Sequence, residues 1–221
     1  MQDRALKNLL YEQVARLGKA LASAKRLELL EILCQGEKCV EHLAADAEIS
    51  VKLASAHLKA LRQAQLIVAR REGKNSYYRL QGNRVADLWV VLHLFARERL
   101  AELQLAMRDL VEHPEELAPV SGSQLLARAR RGEVLVLDVR PTPEYDTAHL
   151  PYARSIPLKE LKRRLIEIPK NRPIFAYCRG PFCLMAKKAV LLLKTQGYSA
   201  TRLEEGVAEW RSAGLPLHTI D

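Results

Sequence analysis

The sequence predicts two domains of different class: a mainly-α domain carrying one β-hairpin, then an α/β domain built on a parallel sheet. Three observations predict it. Apolar residues recur at helical spacing through residues 1–111, whereas short β-rich runs alternate with helical stretches through 123–221. Between them, EHPEELAPVSG at 112–122 holds two prolines, and the residue before a proline avoids the helical region. The chain has 221 residues, 48% of them hydrophobic, enough to bury two ordinary cores. The expected division is therefore a first domain at 1–111, a linker at 112–122 and a second domain at 123–221.

Arg4 to Ala20 reads as an amphipathic helix, with Leu6, Leu9, Leu10, Val14 and Leu17 near helical spacing. Lys25 to Leu33 forms a second helix, ended near Gly36, and Cys39 to Asp46 a short third one. Ser50 suits an N-cap, because its hydroxyl accepts from a free amide of the first turn. The fourth helix, VKLASAHLKALRQA, places Leu53, Ala54, Leu58 and Leu61 on one face. Lys52, Ser55, His57, Lys59 and Arg62 lie largely elsewhere. A helix that enters the major groove needs that division between a packing side and a side offering hydrogen bonds and charge. Ile67 to Arg71 and Tyr77 to Leu80 read as two strands around a glycine-containing turn, with Arg70, Arg71, Lys74, Asn75 and Tyr77 near the tip. Asn83 to Val111 reads as one long helix. Its apolar stripe, with that of the first helix, exceeds what a small domain covers and is expected to be a dimer interface.

The whole chain carries a formal charge of +9. Residues 1–118 hold 18 Lys and Arg against 16 Asp and Glu, so the first half is nearly neutral. Between Ser50 and Arg84, however, eight bases face one acid, Glu72. A concentrated basic stripe is a better footprint for nucleic acid than a high total. The stretch GEKCVEHLAADAEISVKLASAHLKALRQAQLIVARREGKNSYYRL resembles the ArsR/SmtB family of winged-helix repressors, over roughly residues 5–110. Its S-x-H-L-x-x-L-R core falls on Ser55, His57, Leu58, Leu61 and Arg62. The resemblance implies a winged helix-turn-helix homodimer that leaves double-stranded operator DNA when an inducer binds. The operator is then near-palindromic, its half-sites ~34 Å apart. Metal-sensing members carry C-V-C-D-L where this chain has Cys39-Val40-Glu41-His42-Leu43. A soft ion wants several thiolates. Cys34 and Cys39 are the only candidate ligands here besides His42, so no metal is expected.

In the second half, Val134 to Val139 and Ile174 to Tyr177 read as buried strands and Leu184 to Thr195 as a helix. Cys178 therefore stands at the C-terminal end of a strand, and the loop CRGPFC leads into a helix. Loop amides and a helix N-terminus offer partial positive charge to an anion, and Arg179 is expected to add a full one. A thiolate is expected on Cys178 well below the usual thiol range. This half resembles the rhodanese domain, over roughly residues 120–218. Three pieces carry the resemblance: LDVRPTPEYDTAHLPYARSIPL, FAYCRGPFC and LEEGVAEWRSAGLPL. It implies that Cys178 takes sulfur from a sulfane donor as a persulfide. Arg179, Gly180, Pro181 and Phe182 belong to its loop, and Asp138 and Arg140 have a structural role. The loop ends in Cys183, where many rhodaneses have a non-thiol residue. A second thiol attacks a persulfide to give a disulfide and sulfide, or resolves a sulfenic acid. The alternative is that Cys183 merely starts the helix.

No run of apolar residues is long enough to span a bilayer, and the N-terminus is not a secretory signal, so the cytoplasm is the expected location. No cofactor is called for. The leading reading is a regulator whose rhodanese-like domain senses or transfers reactive sulfur at Cys178. A working sulfurtransferase with an accessory DNA-binding domain, and a metalloid-responsive repressor using Cys34 and Cys39, stay open beside it.

Overall fold

The computed structural model describes residues 2–110 and 120–220. The chain forms two compact units that divide between Trp89 and Val90. Most of the expected linker, residues 112–119, lies outside the described residues.

The first unit opens with α1 (Gln2–Leu21) and α2 (Ala24–Leu33), followed by β1 (Lys38–Cys39), α3 (Val40–Asp46) and α4 (Val51–Gln63). The hairpin β2 (Ile67–Glu72) and β3 (Asn75–Leu80) and the start of α5 (Asn83–Arg99) complete it. Ser50 caps α4 as expected, its side chain accepting from the Leu53 amide at 3.2 Å. Ala54, Leu58 and Leu61 are buried from α4 against Leu29, Leu30, Leu43 and Ile67. Leu53 is exposed, contrary to the expectation that it packs with them. Residues 54, 58 and 61 follow the i, i+4, i+7 stripe, and Leu53 sits about 100° off it. The hairpin pairs Ile67 with Leu80 through Glu72 with Asn75, and Gly73 takes a positive φ in the turn. A third strand was not foreseen: β1 pairs antiparallel with β3, Cys39 opposite Tyr77.

The expected helix from Asn83 to Val111 is two helices, α5 and α6 (Ala101–Leu110), meeting at Leu100. The Gln104 side chain donates to the carbonyls of Arg97 and Glu98, satisfying acceptors that an unbroken helix would have used. α5 begins in the first unit and ends in the second.

The second unit continues with α7 (Gly122–Arg130), β4 (Leu135–Asp138), α8 (Thr142–Thr147) and β5 (Ala153–Ser155). It closes with α9 (Leu158–Leu161), β6 (Ile174–Tyr177), α10 (Met185–Thr195), β7 (Ala200–Arg202) and α11 (Val207–Ser212). The sheet runs β5-β4-β6-β7 and is parallel throughout. Alternate residues feed two cores. Leu137, Ile174 and Ala176 face α10, whereas Val136, Phe175 and Tyr177 join Leu125, Leu150 and Trp210. Burial on both faces explains why VLVLDV is apolar at successive positions instead of alternating. At the C-terminal end of β4, Asp138 and Arg140 form an ion pair at 2.5 Å with no exposed surface. Arg140 also donates to the Ala148 carbonyl, so each charge is hydrogen-bonded as burial demands.

Candidate functional site

Lys52, Ser55, Lys59 and Arg62 are exposed on α4, and His57 is half-buried. They lie off the stripe that packs Ala54, Leu58 and Leu61, so one helix has the packing side and the polar side expected of it. On the hairpin, Arg71 and Lys74 are exposed and Tyr77 half-buried. Arg70 is committed locally. It pairs with Glu37 at 2.5 Å and with Glu72, and its guanidinium lies 4.7 Å from the Tyr77 ring centroid. Its charge braces β2 against the turn before β1, while Arg71 Nε donates to the Gly73 carbonyl at 3.4 Å within the turn. Cys34 and Cys39 are both buried, and Cys39 precedes α3 without a side-chain capping bond.

The second site is the loop from Cys178 to Cys183, between the C-terminal end of β6 and α10. Cys178 is 2% exposed and donates to the Cys183 carbonyl at 3.4 Å. The loop is tightened by the Cys183 amide on the Gly180 carbonyl at 3.2 Å. Burial pushes the Cys178 thiol well up. Cys183 is held down to about 6, chiefly by a hydrogen bond from Cys178 and further by the Arg179 and Met185 amides. Burial thus works against the low thiolate range expected of Cys178, and the hydrogen bond between the two thiols favours charge on its half-buried neighbour.

Arg179 also differs from expectation. Its guanidinium donates to Glu144 at 2.6 Å and at 3.1 Å, and both side chains are buried. The positive charge it was expected to lend the loop is largely matched by that carboxylate. Phe182 and His93 form an edge-type ring pair, with centroids 5.7 Å apart, His93 lying on the part of α5 that belongs to this unit. Arg97, one turn further along α5, pairs with Glu204 at 2.6 Å.

Four residues around the loop were missed. Glu144 lies in the D-V-R-P-T-P-E piece, but a sequence does not show which cation it meets. Arg202 ends β7 and donates to the Pro181 carbonyl at 2.6 Å. Gly206 brings its backbone so close that an added Cβ would stand 2.4 Å from the Arg179 carbonyl oxygen and 2.8 Å from that of Cys178. Its glycine is required by that approach. Glu209 accepts from the Gly206 amide at 2.8 Å and stands 3.7 Å from His93. The only sequence signal for Gly206 and Glu209 was their membership of LEEGVAEW.

Fold and sites together define a winged helix-turn-helix unit joined in one chain to a rhodanese-like unit. Comparison with known proteins agrees. The model of the bacterial regulatory protein arsR family matches residues 23–68, and that of the rhodanese-like domain matches residues 121–213. The HTH-type transcriptional regulator Rv0324 of Mycobacterium tuberculosis is 44% identical over 96% of this chain and 92% of its own length. A sulfurtransferase of Allochromatium vinosum is 33% identical over 46% of this chain and 92% of its own length. A solved fragment of Mb0332 from Mycobacterium bovis, described as a homodimeric winged helix-turn-helix DNA-binding domain, shares 45% identity. It covers 43% of this chain and 89% of that one, with a TM-score of 0.41. The chain belongs to the arsR family of transcriptional regulators, in a form that carries a C-terminal rhodanese-like domain. Among the described residues, no helix is long and apolar enough to cross a membrane.

Proposed function

We propose that this protein is a homodimeric repressor whose affinity for a near-palindromic operator responds to sulfane sulfur taken up at Cys178. One observation carries the reading: two thiols, Cys178 and Cys183, share a hydrogen-bonded loop in which backbone amides hold the sulfurs. That is a site for a sulfur anion, and it stands in the same chain as a DNA-binding face. The chemistry balances in two steps. A Cys178 thiolate attacks the outer sulfur of thiosulfate, the donor S–S bond breaks, and sulfite leaves with the electron pair. The Cys183 thiol then passes its proton to the outer sulfur and its sulfur attacks the inner one; the persulfide S–S bond breaks, a Cys178–Cys183 disulfide forms and hydrosulfide leaves with the electron pair. A hydropolysulfide donor reacts in the same way, a shorter polysulfide leaving. Regulation in preference to independent turnover is favoured by α5, which seats His93 and Arg97 on this unit and begins at Asn83 in the other. A coupling of ~1–3 kcal/mol suffices to change occupancy. Such a regulator works in the cytoplasm.

The test is a gel shift on the protein's own promoter, with and without polysulfide, for wild type, Cys178→Ser and Cys183→Ser. Polysulfide is expected to change wild-type affinity 5- to 150-fold, the range of ordinary allosteric coupling, and to leave Cys178→Ser unmoved. Cys183→Ser is expected to load sulfur without progressing to the disulfide. An equal response of wild type and Cys178→Ser would place the signal elsewhere in the chain. Turnover of thiosulfate with no effect on DNA binding would favour the sulfurtransferase reading.

A further inference from the structure

Arg202 is a buried cation with no carboxylate paired to it among the described residues. It is 3% exposed, and only Nη2 has a partner, the Pro181 carbonyl. Nε and Nη1 are buried with no hydrogen-bond acceptor among the described residues. The two carboxylates of the neighbouring strand and helix are already taken, Asp138 by Arg140 and Glu144 by Arg179. Burying a guanidinium without an anion is unfavourable, and each unused N–H adds its own desolvation cost. β7 is nevertheless placed so that Arg202 reaches the loop that carries the thiols, beside the strand that ends at Tyr177.

We infer that Arg202 is the anion-holding residue of the thiol site: its unused N–H groups and full charge stabilise the thiolate of Cys178 and, after sulfur uptake, the terminal sulfur of the persulfide. This deepens the sulfur-uptake reading and rests on it for the second ligand only. The charge count fits a fixed counter-ion. Before the attack the site holds one thiolate; after sulfite has left it holds one persulfide anion, and Arg202 stays protonated throughout. Its attraction opposes the rise that burial imposes on the Cys178 thiol. The role expected of Arg179 thus falls to a residue that no loop motif marks.

Arg202 acts on the sulfur through charge, so the test reads a pH profile. Full-length protein bearing Cys183→Ser isolates Cys178, and Arg202→Met, Arg202→Gln and Arg202→Lys are compared in that background. The rate of iodoacetamide alkylation at Cys178, followed by peptide mass mapping, gives its ionisation midpoint. Arg202→Met and Arg202→Gln are expected to raise the midpoint by at least about one pH unit, cutting the rate near pH 7 about tenfold and sparing it at high pH. Arg202→Lys restores most of the rate. Circular dichroism melting checks that each variant is folded, and Gln, similar in size and polar, carries the test if Met does not fold. A midpoint unmoved in folded Arg202→Gln, or no rescue by Lys, overturns the inference. Alkylation needs neither a sulfur donor nor DNA. A moved midpoint with DNA binding indifferent to polysulfide keeps Arg202 and removes the regulatory reading; the reverse result does the opposite.

Discussion

Glu209 shows how a single residue supports the loop and loads the fold with a pH dependence. Burial, with repulsion from Glu205 and Glu204, pushes its carboxyl up to about 7. The folded state then keeps a proton that the unfolded chain has lost above the ordinary carboxylate range. Stability is therefore expected to fall as pH rises from about 4.5 to about 7, and to stay at the lower level above that. The drop is at most about 3 kcal/mol. Glu209→Gln keeps an acceptor for the Gly206 amide and is expected to flatten this segment of the profile in denaturant melts at a series of pH values. Equal slopes for the two proteins would remove the assignment. None of this was legible in the sequence, where Glu209 is one acid in a helix start. The place of Cys178 was legible, since an apolar strand, a glycine- and proline-containing loop and a helix follow one another in the sequence as they do in the fold. Arg202 was hidden because only the parallel pairing of β7 with β6 brings it to that loop.

At the scale of elements, legibility followed length. The helices α2 and α4 and the strands β4 and β6 have enough residues to show a period or an apolar run. The strands β1, β5 and β7 have two or three residues each, so only their partners define them. The split between α5 and α6 was missed for a different reason: no proline or glycine marks it, and the Gln104 side chain stabilises it from outside the break. For α4 the division of labour leads to two separable effects. Ser50→Ala removes the cap on Leu53 and is expected to cost ~1 kcal/mol in denaturant melts. Lys59→Ala is expected to leave the melt within ~0.5 kcal/mol, as surface substitutions do. It should instead lower the salt dependence of DNA binding by about one phosphate contact, measured as the slope of log K against log salt. A Lys59→Ala variant with an unchanged salt slope would mean that this face of α4 does not meet the backbone.

At the scale of the whole molecule, α1 is an element without enough to cover it. Leu6, Leu9, Leu10, Tyr11, Val14 and Leu17 lie along its 20 residues and are all exposed, Val14 at 68%. A helix owes most of its stability in water to packing of its apolar face, and soluble monomers rarely leave a contiguous patch of this kind uncovered. In the homodimer proposed above a second copy would supply the same stripe, and two-fold symmetry would let each α1 serve both partners. The core of the first unit, built on Leu29, Leu43 and Leu58, does not include these positions, so the stripe is open to change without emptying the core. Replacing Leu10 and Val14 together by Glu is therefore expected to give a folded monomer at concentrations where wild type is expected to sediment as a dimer. Loss of the dimer converts a two-site contact with a palindromic operator into two independent ones. The double variant should lose at least about tenfold in affinity for the full operator, ~1.4 kcal/mol, while binding to a single half-site changes little. Sedimentation velocity and titrations on both DNAs separate these effects. A variant that stays dimeric at the wild-type dissociation constant would move the interface away from α1, and with it the register in which two α4 helices address the half-sites.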